Sequence, residues 1–198
     1  MRLARTALFI LFAAALLYGL QQTRPLYSQI TSPIIASGHL HEKIDANTFT
    51  LSIDTVRVAR DLAVETFGKT KRFTTSGVWI VAEGNAETKF ETQGLTSGEW
   101  LSRSGVRYAL TDRLPPTIAM MPSAAFQPGL PRRILLVFEV PEESVDGGTI
   151  AVTPTKLYPL NDEVRIATGA SGKQMESAIV IRRNDKSDNR GQAWTVLP

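Results

Sequence analysis

His39 and His41 are the only imidazoles in this 198-residue chain. Two positions apart on an extended strand, they would share a face beside Glu42, and such a pair can grip copper or zinc. A stable site also wants a third and fourth ligand. With no cysteine in the chain, a distant Asp or Glu would have to supply them. His39 and His41 are therefore weak metal candidates, the ordinary reading is a solvated strand edge, and no cofactor is expected. The same two histidines are the only bases for a Ser-His-Asp triad. No Gly-x-Ser-x-Gly elbow accompanies them, because Gly94-Leu95-Thr96-Ser97-Gly98 has the wrong spacing. Gly169-Ala170-Ser171-Gly172-Lys173 matches a phosphate loop only in part. Ala167 stands where the first glycine belongs, and Gln174 where a magnesium-binding hydroxyl belongs. The acid pairs Glu142-Glu143 and Asp162-Glu163 fall at predicted turns, where carboxylates are normally solvated. No residue is assigned a catalytic role, and the chain reads as non-enzymatic.

Aromatic side chains are the other candidates for recognition. Trp79 lies in a β-prone run and reads as core. Trp100 and Tyr108 flank a hairpin, where they either pack across it or face outward to a carbohydrate or peptide. Trp194 belongs to an apolar tail after a charged segment. That tail either docks back as an edge strand or presents itself for strand addition. Trp100, Tyr108 and Trp194 are thus the possible binding surface.

What positions these residues begins with the N-terminus. Arg2 and Arg5 precede the apolar run Ala7–Leu20, which gives way to Gln21-Gln22-Thr23-Arg24-Pro25. The run is shorter than the ~20 residues of a typical bilayer span and fits the ~7–15 of a secretory signal. It lacks the small-x-small cleavage pattern, however, and Arg5 can extend it by reaching to the headgroups. An uncleaved anchor is expected over residues 1–24, with a cleaved signal as the alternative. The arginines place Met1 in the cytoplasm, so the remainder faces the periplasm or exterior of a cytoplasmic membrane. The formal charge of +3 comes from 22 basic and 19 acidic residues. Without Arg2, Arg5 and Arg24 the remaining charges balance. A pI near 9.3 is therefore no sign of nucleic-acid binding. The absence of cysteine excludes a lipoprotein anchor and disulfide staples, so the domain must stand on its hydrophobic core.

Residues 25–37 read as a linker, 38–183 as one domain, and 184–198 as a charged loop and tail. The domain's period is two. Phe49, Leu51 and Ile53 alternate with polar residues, then the phase slips to Val56 and Val58. Such a slip signals a β-bulge or a turn at Asp54-Thr55. Val78–Val81 suits a central strand covered on both faces. Arg103-Ser104-Gly105 reads as a hairpin turn, and Ile134, Leu136, Phe138 and Val140 share one strand face. Val145–Gly148 is a turn, with strands at Ile150, Val152, Val164, Ile166 and Ala178–Arg182. Ile118–Met121 is a candidate short strand inside a proline-rich loop. Asp61–Glu65 offers at most one helical turn, and Asn184–Gly191 is polar and charged and is expected to be mobile. Short strands separated by turns predict an all-β, immunoglobulin-like antiparallel sandwich behind one N-terminal helix.

From about Gly38 to Thr153 the chain resembles the secreted bacterial immunoglobulin-like domains of the immunoprotective extracellular protein type. The carrying features are Phe49–Val58, Val78–Val81 followed by Asn85, Gly105-Val106-Arg107-Tyr108, Pro128-Gly129 and Leu136-Val137-Phe138-Glu139-Val140-Pro141. The resemblance implies a sandwich behind a signal or anchor with no assigned catalytic residues. The expected function is a membrane-anchored, extracytoplasmic binding module. Its partners would be the membrane, through residues 7–20, and another envelope protein or a cell-wall component. The alternatives are an exported hydrolase of envelope polymers and a periplasmic metal-binding module.

Overall fold

The computed structural model describes residues 2–22, 31–66, 68–114, 125–157, 159–183 and 194–198. The expected strand at Ile118–Met121 and the polar segment Asn184–Gly191 lie outside them. The chain divides into two compact units, Met1–Ser32 and Pro33–Pro198. The first holds α1 (Arg2–Gln22). The stretch Arg5–Gln22, with mean hydropathy 1.2, is long and apolar enough to cross a membrane, a character that signal sequences share.

In the second unit the described strands are β1 (Ile34–His39), β2 (Ile44–Asp45), β3 (Phe49–Thr66), β4 (Lys69–Thr88), β5 (Gln93–Gly94), β6 (Ser97–Leu101), β7 (Arg107–Ala109), β8 (Ala125–Phe126), β9 (Arg132–Val140), β10 (Thr149–Thr153), β11 (Asp162–Ala167), β12 (Met175–Arg183) and β13 (Trp194–Leu197). They form a β-sandwich. One sheet runs β1-β11-β10-β6-β7. The other runs β13-β12-β3-β4-β9, with β2 on β3, and β5 pairs with β8 apart from both. The pairing is antiparallel except for β1 on β11 and β12 on β3. β1 opens at Ile34, inside the expected linker, and β13 gives the expected tail a docked place on β12.

β3 and β4 organise the second sheet. Their register shifts between Ile53 and Thr55, where the hydrophobic phase slips in the sequence, so the slip is a bulge. Gly84 opposes Ile53 there, and a Cβ on it would overlap the Ser52 carbonyl oxygen. A second shift follows Ala59. Between the pairs Ala59–Trp79 and Asp61–Thr74, β3 has one residue and β4 has four. This bulge reverses the phase of β3 again. Asp61–Glu65 is consequently strand, not a helical turn, and pairs with both β4 and β12. Its alternation of Leu62 and Val64 with Asp61, Ala63 and Glu65 suits a strand with partners on two sides.

The sheet therefore buries both faces. Inward, Phe49, Leu51, Ile53, Ile80, Leu136 and Phe138 meet Trp100, Ile150, Val164 and Ile166 of the opposing sheet. Outward, Leu62, Val64, Phe73, Trp79, Val137, Ile179 and Trp194 belong to a second core. β9 alternates as expected, but Leu135 and Val137 on its other face are fully buried too.

Gly148 packs beneath the Trp100 ring, and a Cβ there would penetrate the six-membered ring. Trp100 is wholly buried and cannot swing away. Gly148→Ala is expected to lower stability by about 1–3 kcal/mol, as overpacking does. Urea unfolding should show this as a lower midpoint with an unchanged slope.

Candidate functional site

His39 closes β1 opposite Ala167, and its backbone N–H donates to the Glu42 carboxylate at 3.0 Å. His41 sits in the following turn with φ 66°. That left-handed residue breaks the strand alternation, so the two exposed imidazoles do not share a strand face as expected. Among the described residues no group of three or more His, Cys, Asp or Glu side chains is placed to hold a metal. At Gly169–Lys173, the Asp146 carboxylate accepts the Gly172 N–H at 2.8 Å. That bond, and one from Ser171, hold the Asp146 pKa below its ordinary value. A carboxylate thus already occupies an amide that a phosphate would need.

The aromatic candidates turn inward. Trp100 is 0% exposed and lies 6.2 Å from the Phe138 ring centroid. Its indole N–H donates to the Ser144 carbonyl at 2.8 Å. Tyr108, paired with Trp100 across the hairpin, is half-buried, and its hydroxyl lies 2.9 Å from Ser144 Oγ. Trp194 is 3% exposed within the second core. Trp100 and Trp194 are therefore packing residues rather than surface, because each ring is covered by the core that its strand faces. Trp79 Nε1 donates to the Phe73 carbonyl at 3.1 Å. The Trp194 indole N–H is buried and has no hydrogen-bond partner among the described residues.

The polar feature that the sequence reading missed is the outer face of the five-stranded sheet. Register aligns Ser37, Arg165, Ala151, Glu99 and Ala109 in one row across it. In the adjacent row stand His39, Ala167, Thr149, Leu101 and Arg107. Small residues at the centre let long side chains lie flat. Arg107 bridges Glu99 at 2.8 Å and Glu163 at 3.2 Å, Arg165 holds Glu163 at 2.6 Å, and Lys156 pairs with Glu99. Ala151 beneath them is only 3% exposed although it points outward. Burial pushes the Glu99 carboxyl up, but the hydrogen bonds from Lys156 and Arg107 outweigh it and hold the pKa below its ordinary value. Bonds to Glu99 and Glu163 raise that of Arg107. Beside this network a groove of about 540 Å³ is lined by Ser37, His39, Glu42, Thr149 and Arg165. It offers hydrogen-bond donors and acceptors.

Asp162 and Glu163, expected in a solvated turn, are instead buried at the start of β11. Asp162 accepts from Asn47 Nδ2 at 2.8 Å and from the Thr48 N–H and hydroxyl at 2.7 Å. The acids' sequence neighbours look like a turn. Asn47 and Thr48 lie in the bend between β2 and β3, and Arg107 in β7 reaches Glu163, which local pattern does not register.

A carboxyl whose folded pKa is depressed stabilises the fold above its unfolded value, about 4.3 for Glu. That contribution is lost as pH falls through the folded value. In Glu99→Gln, thermal melts between pH 6 and pH 3 should show a shallower acid decline in Tm than the wild type. An unchanged slope would detach Glu99 from acid stability. Trp194 makes a second test. Trp194→Phe removes the unpartnered donor while keeping a ring, and should stay within about 1 kcal/mol of the wild type. Trp194→Ala should cost about 3–5 kcal/mol, both read by chemical denaturation.

No protein-family model matches the chain, and no curated protein sequence matches it. Among solved structures it is similar to an uncharacterized β-sandwich protein from Clostridium difficile 630. That match has TM-score 0.45 and 12% identity, over 73% of this chain and 99% of the other. It is also similar to the yjhA protein from Bacillus subtilis, with TM-score 0.46 and 9% identity, over 65% of this chain and 98% of the other.

Proposed function

We propose that the chain is a single-pass, N-in membrane protein that displays a non-catalytic β-sandwich outside the cytoplasm. The sandwich would be of the immunoprotective extracellular type and would bind another envelope protein or a cell-wall component. The observation that carries the reading is α1. It is apolar around its circumference, and its described large side chains from Phe9 to Leu20 are exposed, Phe9 by 74%. A helix with no polar face has no stable place in water, and a bilayer supplies the missing surroundings. Arg2 and Arg5 ahead of it support the N-in orientation. The binding half of the reading is supported by the polar groove on the outer sheet face. Membrane confinement would raise the effective concentration of the display domain toward envelope partners.

Fractionation and N-terminal sequencing of the protein from bacterial envelopes test the anchor. The expected result is an intact Met1-Arg2-Leu3 start in the membrane fraction, resistant to carbonate and released by detergent. A new N-terminus after Leu20 with soluble protein outside the cell would overturn it. For binding, crosslinking of the intact chain in envelopes should give one reproducible partner, or the chain should sediment with purified cell wall. Failure of both would remove that half.

A further inference from the structure

Exposed large hydrophobic side chains of the sandwich unit are unevenly placed. Among the described residues, the strand register puts Ile34, Ile35, Phe90, Leu130, Leu157 and Leu160 at one end and Val106 alone at the other. Phe90 is 78% and Leu157 84% exposed. Backbone and side-chain bonds tie these loops into one surface. The Ile34 N–H donates to the Asn161 carbonyl at 2.8 Å, and the Lys89 N–H to the Thr48 carbonyl at 2.9 Å. Thr48 is held by Asp162, the residue after Asn161. Thr88, beside Lys89, bridges to Pro128 near Leu130. Leu160 adds a second observation. It adopts φ 56°, a conformation that costs a non-glycine residue, and 53% of the residue is still exposed.

This is also the end at which the chain enters the sandwich, because β1 begins at Ile34. Only residues 23–33 separate that point from α1. Fully extended, they span at most roughly 40 Å at about 3.5 Å per residue.

We infer that this end of the sandwich is a lipid-contacting surface, in which Phe90, Leu130, Leu157 and Leu160 enter the interface of the bilayer that α1 crosses. The inference rests on the membrane-anchor reading. A bilayer fits better than a protein partner for two reasons. The apolar groups sit on separate loop tips, which a fluid interface accommodates without shape complementarity. The nearby charges at Lys43–Glu87 and Lys89–Asp45 are already paired, so those four present no net charge. Exposed apolar clusters of this kind mark contact surfaces.

The chain has no cysteine, so single nitroxide labels can be placed cleanly. The full-length protein is reconstituted into vesicles of phosphatidylethanolamine and phosphatidylglycerol. Labels go at Glu91→Cys and Pro159→Cys, beside the apolar tips but leaving them intact. Reference labels go at Leu16→Cys in α1 and Lys173→Cys at the opposite end. Collision with oxygen and with a water-soluble nickel chelate is measured by electron paramagnetic resonance. The expected result is an oxygen-to-nickel ratio at positions 91 and 159 severalfold above that at 173, falling to the value at 173 in a Phe90→Ser, Leu157→Ser background. Both serines replace exposed side chains, so the thermal melt should not move. Water-like ratios at 91 and 159 with a lipid-like ratio at 16 would overturn the inference and leave the anchor standing. A water-like ratio at 16 would overturn the anchor reading and this inference with it. Labels at 91 and 159 shielded from both reagents would assign the surface to a protein contact and also overturn it.

Discussion

The pairing of β3 with β4 carries the sandwich. It joins 18- and 20-residue strands, well beyond the usual length of about 5–6 residues. A ribbon that long cannot stay flat or keep one face inward, because strands twist and each bulge reverses the alternation. The two register shifts let one pair of strands serve two cores. Near Phe49–Val58 the buried side chains meet the five-stranded sheet. Beyond Ala59, Leu62 and Val64 belong to the outer core with Phe73, Ile179 and Ile181. Parallel addition of β12 then extends the ribbon sideways, and the Arg57–Glu176 ion pair at 2.5 Å clamps the start of that pairing.

The two sheets answer the same physical demand differently. The six-stranded sheet covers its outer face with apolar side chains, and Trp79 lies there under the guanidinium of Arg113, 5.3 Å from the ring centroid. Arg113 is fixed in turn by Glu139 at 2.8 Å and the Thr74 carbonyl at 3.0 Å. The five-stranded sheet covers its outer face with charge. Its central small residues make a floor over which arginine and glutamate stems lie, so methylene groups shield the sheet while the charged ends pair. Networked pairs of this kind share the ordering cost among several partners, which an isolated surface pair cannot do. The same arrangement leaves the polar groove beside β1 as the chemically varied part of the surface.

The two ends of the sandwich also differ. At one, Trp100, Tyr108 and Ser144 close the core through hydrogen bonds, and the Asp146–Gly172 contact ties the turns together. At the other, Asp162 gathers Asn47 and Thr48, while apolar loop tips remain uncovered. Rigid anchoring beneath exposed tips holds those side chains in place without burying them, which is the arrangement a contact surface requires.

Alternation along the chain determined the β class of the domain, the phase slip after Ile53, the buried strand at Val78–Val81 and the N-terminal apolar helix. Each depends on neighbours in sequence and on the periods of two and 3.6 that local geometry imposes. Tertiary structure alone decided what lies opposite each face. Asp61–Glu65 resembles a helical turn in isolation and is strand because β4 and β12 flank it. His39 and His41 have strand spacing, but the positive φ of His41 separates them. Glu163 reads as a turn carboxylate and is buried because Arg107, 56 residues away, reaches it across the sheet. Trp100 and Trp194 could have faced either way, and long-range packing turned both inward. One physical reason covers the strand at Asp61–Glu65, the buried Glu163 and the two tryptophans. Face alternation is a local property, whereas burial and pairing depend on contacts closed over long loops.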